Sequence, residues 1–150
     1  MAEFRAAREG EGQALYDITE AAIRGLASAH YSAAQIEGWM AGRDGAQYEA
    51  VISHGCVVVA AKGAALLGFV EAAPGEILRL FVRPEAAGQG LGRGLLQRGI
   101  DMAGPGEVRL NATLNAAPFY AHCGFIPLGR ALYTHPGGGK PVEIVTMRLR

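Results

Sequence analysis

The stretch that most constrains the fold of this 150-residue chain runs from Ile77 to Ala103. Ile77-Leu78-Arg79-Leu80-Phe81-Val82 has the apolar character of a strand. Arg83-Pro84 ends it, because the residue before Pro avoids the helical region and Pro cannot donate to a ladder. The run Gly88-Gln89-Gly90-Leu91-Gly92-Arg93-Gly94 follows, then a helix predicted to about Ala103, closed by Gly104-Pro105-Gly106. Strand, Gly-rich loop and helix in this order make an anion site. The glycines let backbone approach a ligand closely, and the helix start offers unpaired N–H groups with a partial positive charge. Two common phosphate loops do not fit. A dinucleotide fingerprint needs glycine at its first, third and sixth positions, and Gly88 and Gly90 put Arg93 sixth while Gly90 and Gly92 put Leu95 there. A mononucleotide loop needs Gly-Lys before Ser or Thr, and Gly139-Lys140 precedes Pro141.

The surrounding pattern predicts one mixed α/β (α+β) domain over 1–150, with a mostly antiparallel central sheet and about four helices. A short strand is expected over Phe4–Arg8. A helix opens at Gly10-Glu11-Gly12, with Leu15, Ile18, Ala22 and Leu26 on its apolar face. Ser32 and Gln35 form a capping box, and Tyr31 and Ile36 the hydrophobic staple around it, at the start of a second helix that Gly42 or Gly45 ends. Cys56–Ala61 reads as a strand covered on both faces, and Ala65–Ala72 as its hairpin partner across Lys62-Gly63. Val108, Leu110, Ala112 and Leu114 alternate with polar residues at strand period. Asn115 is placed to cap a short helix through His122. Phe125–Leu128, Ala131–Thr134 and Val142–Leu149 read as late strands. Gly137-Gly138-Gly139 reads as a hairpin tip.

Composition narrows the function classes. Fourteen Lys and Arg balance fourteen Asp and Glu, so the long-range attraction a nucleic-acid binder exerts on phosphates is missing. No apolar run approaches a membrane span, and the N-terminus has no signal-peptide pattern. The two cysteines stand apart without zinc-like spacing, so no metal site is expected. A buried reduced thiol is the expected state of each, which fits the cytoplasm. Glycine stands out at 22 residues, about twice the usual share.

Gln89-x-x-Gly92-x-Gly94 after a strand resembles the acyl-coenzyme-A loop of the GNAT superfamily, the acetyl-CoA-dependent N-acetyltransferases. Downstream, Asn115-Ala116-Ala117-Pro118-Phe119-Tyr120, ending in Gly124-Phe125, is similar to that family's second motif. The two motifs stand in order, and the resemblance covers about 76–126. His30-Tyr31-Ser32-x-x-Gln35-Ile36-x-x-Trp39 also resembles the first-helix region of many small bacterial members.

The resemblance implies the GNAT acyltransferase fold, with the sheet splayed open between the strands at 77–82 and 108–114. It implies direct attack of a primary amine on the acetyl-CoA thioester in a ternary complex, with a backbone N–H on the oxyanion and protonation of the departing thiolate. By position, Leu80, Phe81 and Val82 contact pantetheine through their backbone. Gln89, Gly90, Gly92, Arg93 and Gly94 cradle the pyrophosphate, Asn115 bonds the pantetheine arm, and Phe119 packs on the cofactor. Tyr120 is the expected general acid, since its ordinary pKa of about 10 keeps it protonated near a thiol of about 8.5. A packing role is the plainer account of an aromatic residue in a short helix, and the two motifs together favour the acid. For the base, Leu78 stands where relatives often carry Glu, which leaves Glu76 and Glu71 as the nearby carboxylates. His30 and Tyr31 fall where members place their acceptor loop and are expected as substrate contacts. The expected acceptor is a small-molecule amine, and the expected assembly a homodimer. Three other functions stay open at this level: a protein N-terminal or lysine acetyltransferase, an acyl-CoA-binding sensor without catalysis, and a nucleotide- or phosphate-binding protein resting on the loop alone.

Overall fold

In the computed structural model, which describes residues 2–26, 29–134 and 141–149, seven strands form one sheet. They are β1 (Glu3–Ala6), β2 (Val57–Lys62), β3 (Ala65–Ala73), β4 (Glu76–Val82), β5 (Val108–Thr113), β6 (Ile126–Tyr133) and β7 (Val142–Leu149). Their order is β1-β2-β3-β4-β5-β7-β6, antiparallel everywhere except between β4 and β5. The helices are α1 (Gly12–Leu26), α2 (Ala33–Met40), α3 (Gly45–Ser53), α4 (Leu91–Ala103) and α5 (Ala117–His122). The expected glycine tip at 137–139 lies outside the described residues. Among the described residues no helix is long and apolar enough to cross a membrane.

The sheet is covered on both faces. Leu91, Leu95 and Leu96 of α4 and Tyr120 of α5 pack on Val70, Ile77, Leu110 and Met147. Leu15 and Ile18 of α1 and Tyr48 of α3 pack on Val59 and Phe69 of the other face. Ile23, Tyr31, Ile36, Trp39 and Met40 form a third cluster against Val142 and Ile144.

The capping box at α2 is present in both directions: the Gln35 N–H donates to Ser32 Oγ, and the Ser32 N–H donates to Gln35 Oε1. Tyr31 and Ile36 are both buried beside it, as a staple requires. The sequence reading misses α3, so five α-helices stand where about four were expected. Gly45 is not a helix stop but the first residue of α3. A side chain there would collide with Gln13 of α1, so the glycine permits a close helix crossing. Asp44 caps α3 by accepting from the Gln47 N–H at 2.8 Å. The two short late strands are one, β6, every residue of which is exposed. Cys56 is exposed rather than buried, because it precedes β2 in the turn after Gly55.

Two irregularities position the site. The ladder between β3 and β4 pairs Glu71 with Arg79 and Ala72 with Ile77, leaving Leu78 as an extra residue in β4. This is a β-bulge, which bends a strand and re-aims its side chains. Ile77 and Leu80 therefore share the α4 face despite their odd spacing, and Leu78 is 43% exposed. The second is the short β4–β5 junction, which pairs only Glu76 with Arg109 and Ile77 with Leu110. Beyond Ile77 the edge of β4 has no strand partner, and the two strands part.

Candidate active site

The gap between β4 and β5 is walled by Leu78, Arg79, Leu80 and Phe81 on one side and Asn111, Ala112 and Thr113 on the other. Trp39, Arg43, Tyr133, Val142 and Ile144 close it on the α2 and β7 side. A second cavity lies at the amino end of α4, lined by Leu80, Val82, Gly88, Gly90, Gly92, Arg93, Asn115 and Phe119, with Ala86 and Ala87 beside them. The two cavities share Leu80, Ala116 and Tyr120. They are thus two arms of one cleft that adjoin at Leu80, Ala116 and Tyr120.

Each arm has the chemistry its residues dictate. The α4 start is capped by no side chain: Gly90 holds the cap position at φ 80°, in the left-handed region that favours glycine. The Gly94 N–H donates to the Gly90 carbonyl at 3.1 Å. The N–H groups of Leu91, Gly92 and Arg93 precede the first helical bond and are free to meet an anion. Asn115 does not cap α5, whose cap position is Ala116. Its Oδ1 is instead buried without a hydrogen-bond partner in the lining of the loop arm. A buried orphan acceptor costs about 1–3 kcal/mol, so this atom is set for a donor supplied by a ligand.

Tyr120 is 6% exposed and packs edge-on against Phe119 and Phe125. Burial raises its pKa well above the ordinary phenol value, and the nearby Cys123 adds to the rise. The hydroxyl is therefore firmly protonated at neutral pH.

Other residues singled out in the sequence fall elsewhere. Gln89 is exposed and lines neither arm. Gly94 also lines neither: a side chain there would strike the Phe4 ring, so its absence serves packing between α4 and β1. Glu71 is ion-paired with Arg79 and does not reach the cleft lining, whereas Glu76 is exposed and lines the gap. His30 lies on a separate hollow with Pro118, Pro127 and Arg130.

Tyr31 is a structural tie rather than an open substrate contact. It is 5% exposed, its hydroxyl donates to the Glu143 carbonyl at 2.6 Å, and it accepts from the Leu114 N–H at 2.7 Å. Burial raises its pKa, and the bond from Leu114 opposes the rise. This phenol fixes the end of β5 toward β7, next to Asn115. Sequence reasoning also passed over Arg43. Its Nε donates to the Trp39 carbonyl and its Nη1 to the Tyr48 hydroxyl, both at 2.8 Å. Only its position just after a helix-ending glycine could have flagged it.

A sheet split beside an uncapped helix start, with an orphan amide on the facing loop, is the architecture of an acyl-coenzyme-A-dependent transferase. The profile of the acetyltransferase (GNAT) domain matches residues 27–147, and the chain belongs to that family. Among solved structures, it is similar to a GCN5-related N-acetyltransferase from Rhodopseudomonas palustris. The TM-score is 0.91 at 25% identity, with 99% of this chain and 95% of that one covered. It is also similar to the PaiA N-acetyltransferase of Thermoplasma acidophilum in complex with coenzyme A, at TM-score 0.77 and 20% identity, covering 100% and 99% of the two chains. A third likeness is YncA from Salmonella typhimurium with its cofactor acetyl-CoA, at TM-score 0.71 and 22% identity, covering 100% and 94%. No curated protein matches the chain by sequence.

Proposed function

We propose that the chain acts as one domain over 1–150 and transfers the acetyl group of acetyl-CoA to the primary amine of a small molecule, with both reactants held in the cleft at once. The observation that carries this reading is the meeting of the two arms at Tyr120, beside the unpartnered Asn115 Oδ1. The residues present fit acetyl-CoA. Its pyrophosphate suits the free N–H groups of Leu91, Gly92 and Arg93, and its amide-bearing arm suits Asn115 Oδ1 and the unpaired edge of β4 from Leu80 to Val82. Phe119 offers an apolar wall, and its ring stands 3.4 Å from where a Gly92 side chain would begin. When bound, acetyl-CoA supplies an activated acyl group.

The chain's own residues then divide the work. The backbone N–H groups along the free edge of β4 orient the acyl carbonyl and meet the charge that develops on its oxygen. Tyr120 gives its hydroxyl proton to the sulfur at the junction of the arms. Its raised pKa keeps the phenol protonated until charge develops on the sulfur. Glu76, the carboxylate on the gap wall, takes a proton from the incoming ammonium, while Glu71 steadies Arg79. A second copy of the chain is the fitting partner for β6, which exposes Ile126, Leu128 and Leu132 along a sheet edge. Light scattering of the purified protein tests this, and a monomer at all concentrations removes it.

The reaction is tested by free-thiol release from acetyl-CoA over a panel of small amines, run beside calorimetry with acetyl-CoA, ATP and NAD. Acetyl-CoA binding with amine-dependent thiol release is expected. Binding without release on any amine would leave a sensor, and preference for ATP or NAD would overturn the cofactor assignment.

A further inference from the structure

The gap arm contains a guanidinium, Arg43, that is held only by neutral acceptors among the described residues. Arg43 is half-buried in the gap wall, and two of its N–H groups are fixed on neutral acceptors, the Trp39 carbonyl and the Tyr48 hydroxyl. Among the described residues it forms no ion pair. Tyr48, 1% exposed, joins it to a second cation, since the Arg79 guanidinium lies over the same ring at 5.9 Å. Glu71 engages Arg79 through Nη1 alone, which leaves other donors of that fork for a ligand. Arg43 is fixed by its two hydrogen bonds and Arg79 by its bond to Glu71, and guanidinium forks fixed in this way suit the planar, bidentate geometry of a carboxylate. A partly buried guanidinium bonded only to neutral groups keeps donors and charge for a ligand anion. The wall carries one carboxylate of its own, Glu76.

We infer that the acceptor is an amine that also carries a carboxylate, in the manner of an amino acid, with the acid group on Arg43 and Arg79 and the amine directed toward Tyr120 and Glu76. This deepens the acetyl-transfer reading and rests on it. Arg43 and Arg79 are then specificity-determining residues: they recognise the acceptor and take no part in proton transfer.

The test compares amino acids with their own carboxamides as acceptors, reading kcat/KM by thiol release. The acids are expected to be preferred by about 10- to 100-fold, the scale of a charge-assisted bidentate contact. Arg43→Met and Arg79→Met should bring that ratio toward one while calorimetric acetyl-CoA affinity is kept. Acids and carboxamides used equally, or carboxamides preferred, would overturn the inference and leave acetyl transfer standing. Loss of acetyl-CoA binding in the unmodified protein would instead sink the parent reading. A second measurement needs neither turnover nor a stable variant. N-acetylglycine and N-acetylglycinamide are titrated into the unmodified protein without acetyl-CoA, following the arginine Nε–H resonances. Saturable shifts at Arg43 and Arg79 with the acid alone are expected, and equal or absent shifts with the two compounds would refute the site.

Discussion

The two edges of β5 behave differently along the same six residues. Toward β7 every residue from Val108 to Thr113 has a partner, from Leu149 to Ile144. Toward β4 only Arg109 and Leu110 do. The strand is not weak in itself, for its core residues Val108, Leu110 and Ala112 are all buried. What differs is the neighbour. β7 keeps an unbroken register with β5, and the Tyr31 hydroxyl locks the end of β5 to it through Leu114 and Glu143. β4 is bent by the extra Leu78, and beyond Ile77 a cavity lined by Leu80, Ala116 and Tyr120 lies where further pairing would have run. The fold therefore opens one side of a strand by securing the other.

This contrast can be broken at several points. The largest effect should come from the open side. Tyr120→Phe is expected to lower turnover by about 10²–10⁴-fold with acetyl-CoA affinity retained, measured by single-turnover thiol release and calorimetry. Unchanged turnover removes the phenol from the chemistry. The same variant probes pH. A buried phenol with a raised pKa contributes stability that is whole below the unfolded value of about 10 and is lost as pH rises toward the folded value. The alkaline fall in chemical-denaturation stability should be shallower in Tyr120→Phe than in the parent.

Next in size is Asn115→Ala. It should weaken acetyl-CoA binding by about 10- to 100-fold, since its orphan acceptor is worth about 1–3 kcal/mol to a ligand donor. Its melting temperature should hold or rise, because the fold loses no bond at Oδ1. A lowered melting temperature with intact affinity would show that Asn115 serves the fold.

The closed side responds differently. Tyr31→Phe removes both hydrogen bonds of the tie and should cost about 1–3 kcal/mol in denaturant unfolding. Hydrogen exchange should quicken first at Leu114. Equal exchange along β5 in variant and parent would mean that the tie does not hold the seam.

The open side was also the more legible in sequence. Ile77–Val82, its Pro84 stop and the end of α4 at Ala103 announce themselves through strong local rules, whereas the glycine run is shorter as a loop than it reads, since Leu91 to Gly94 already belong to α4. The register of Leu78 was not legible, since a bulge depends on the partner strand and leaves no mark in its own residues. α3 was hidden because Gly45 signals a stop locally, while its true reason, Gln13, lies on another helix. The same limit explains Tyr31, where a residue beside a cap was read as a surface contact though its partners lie 83 and 112 positions away. Arg43 carries no periodic signal, only its place after the helix-ending Gly42. Its meaning arises only when α2, α3 and β4 come together around Tyr48.

The bulge has one more consequence, best put as phase. Ahead of Leu78 the odd-numbered Ile77 faces the α4 core, and after it the even-numbered Leu80 and Val82 do. Leu78 thus acts as a one-residue phase slip written into a two-residue repeat. Were Leu78 threaded in plain alternation instead of bulged out, every later side chain of β4 would shift by half a period. Arg79 and Phe81 would turn into the α4 core, while Leu80 and Val82 would turn out of it. A single codon lost there would cancel the slip without reversing any face, for Arg79 would still stand opposite Glu71 and Ile77 opposite Ala72: the strand carries one letter more than its ladder reads.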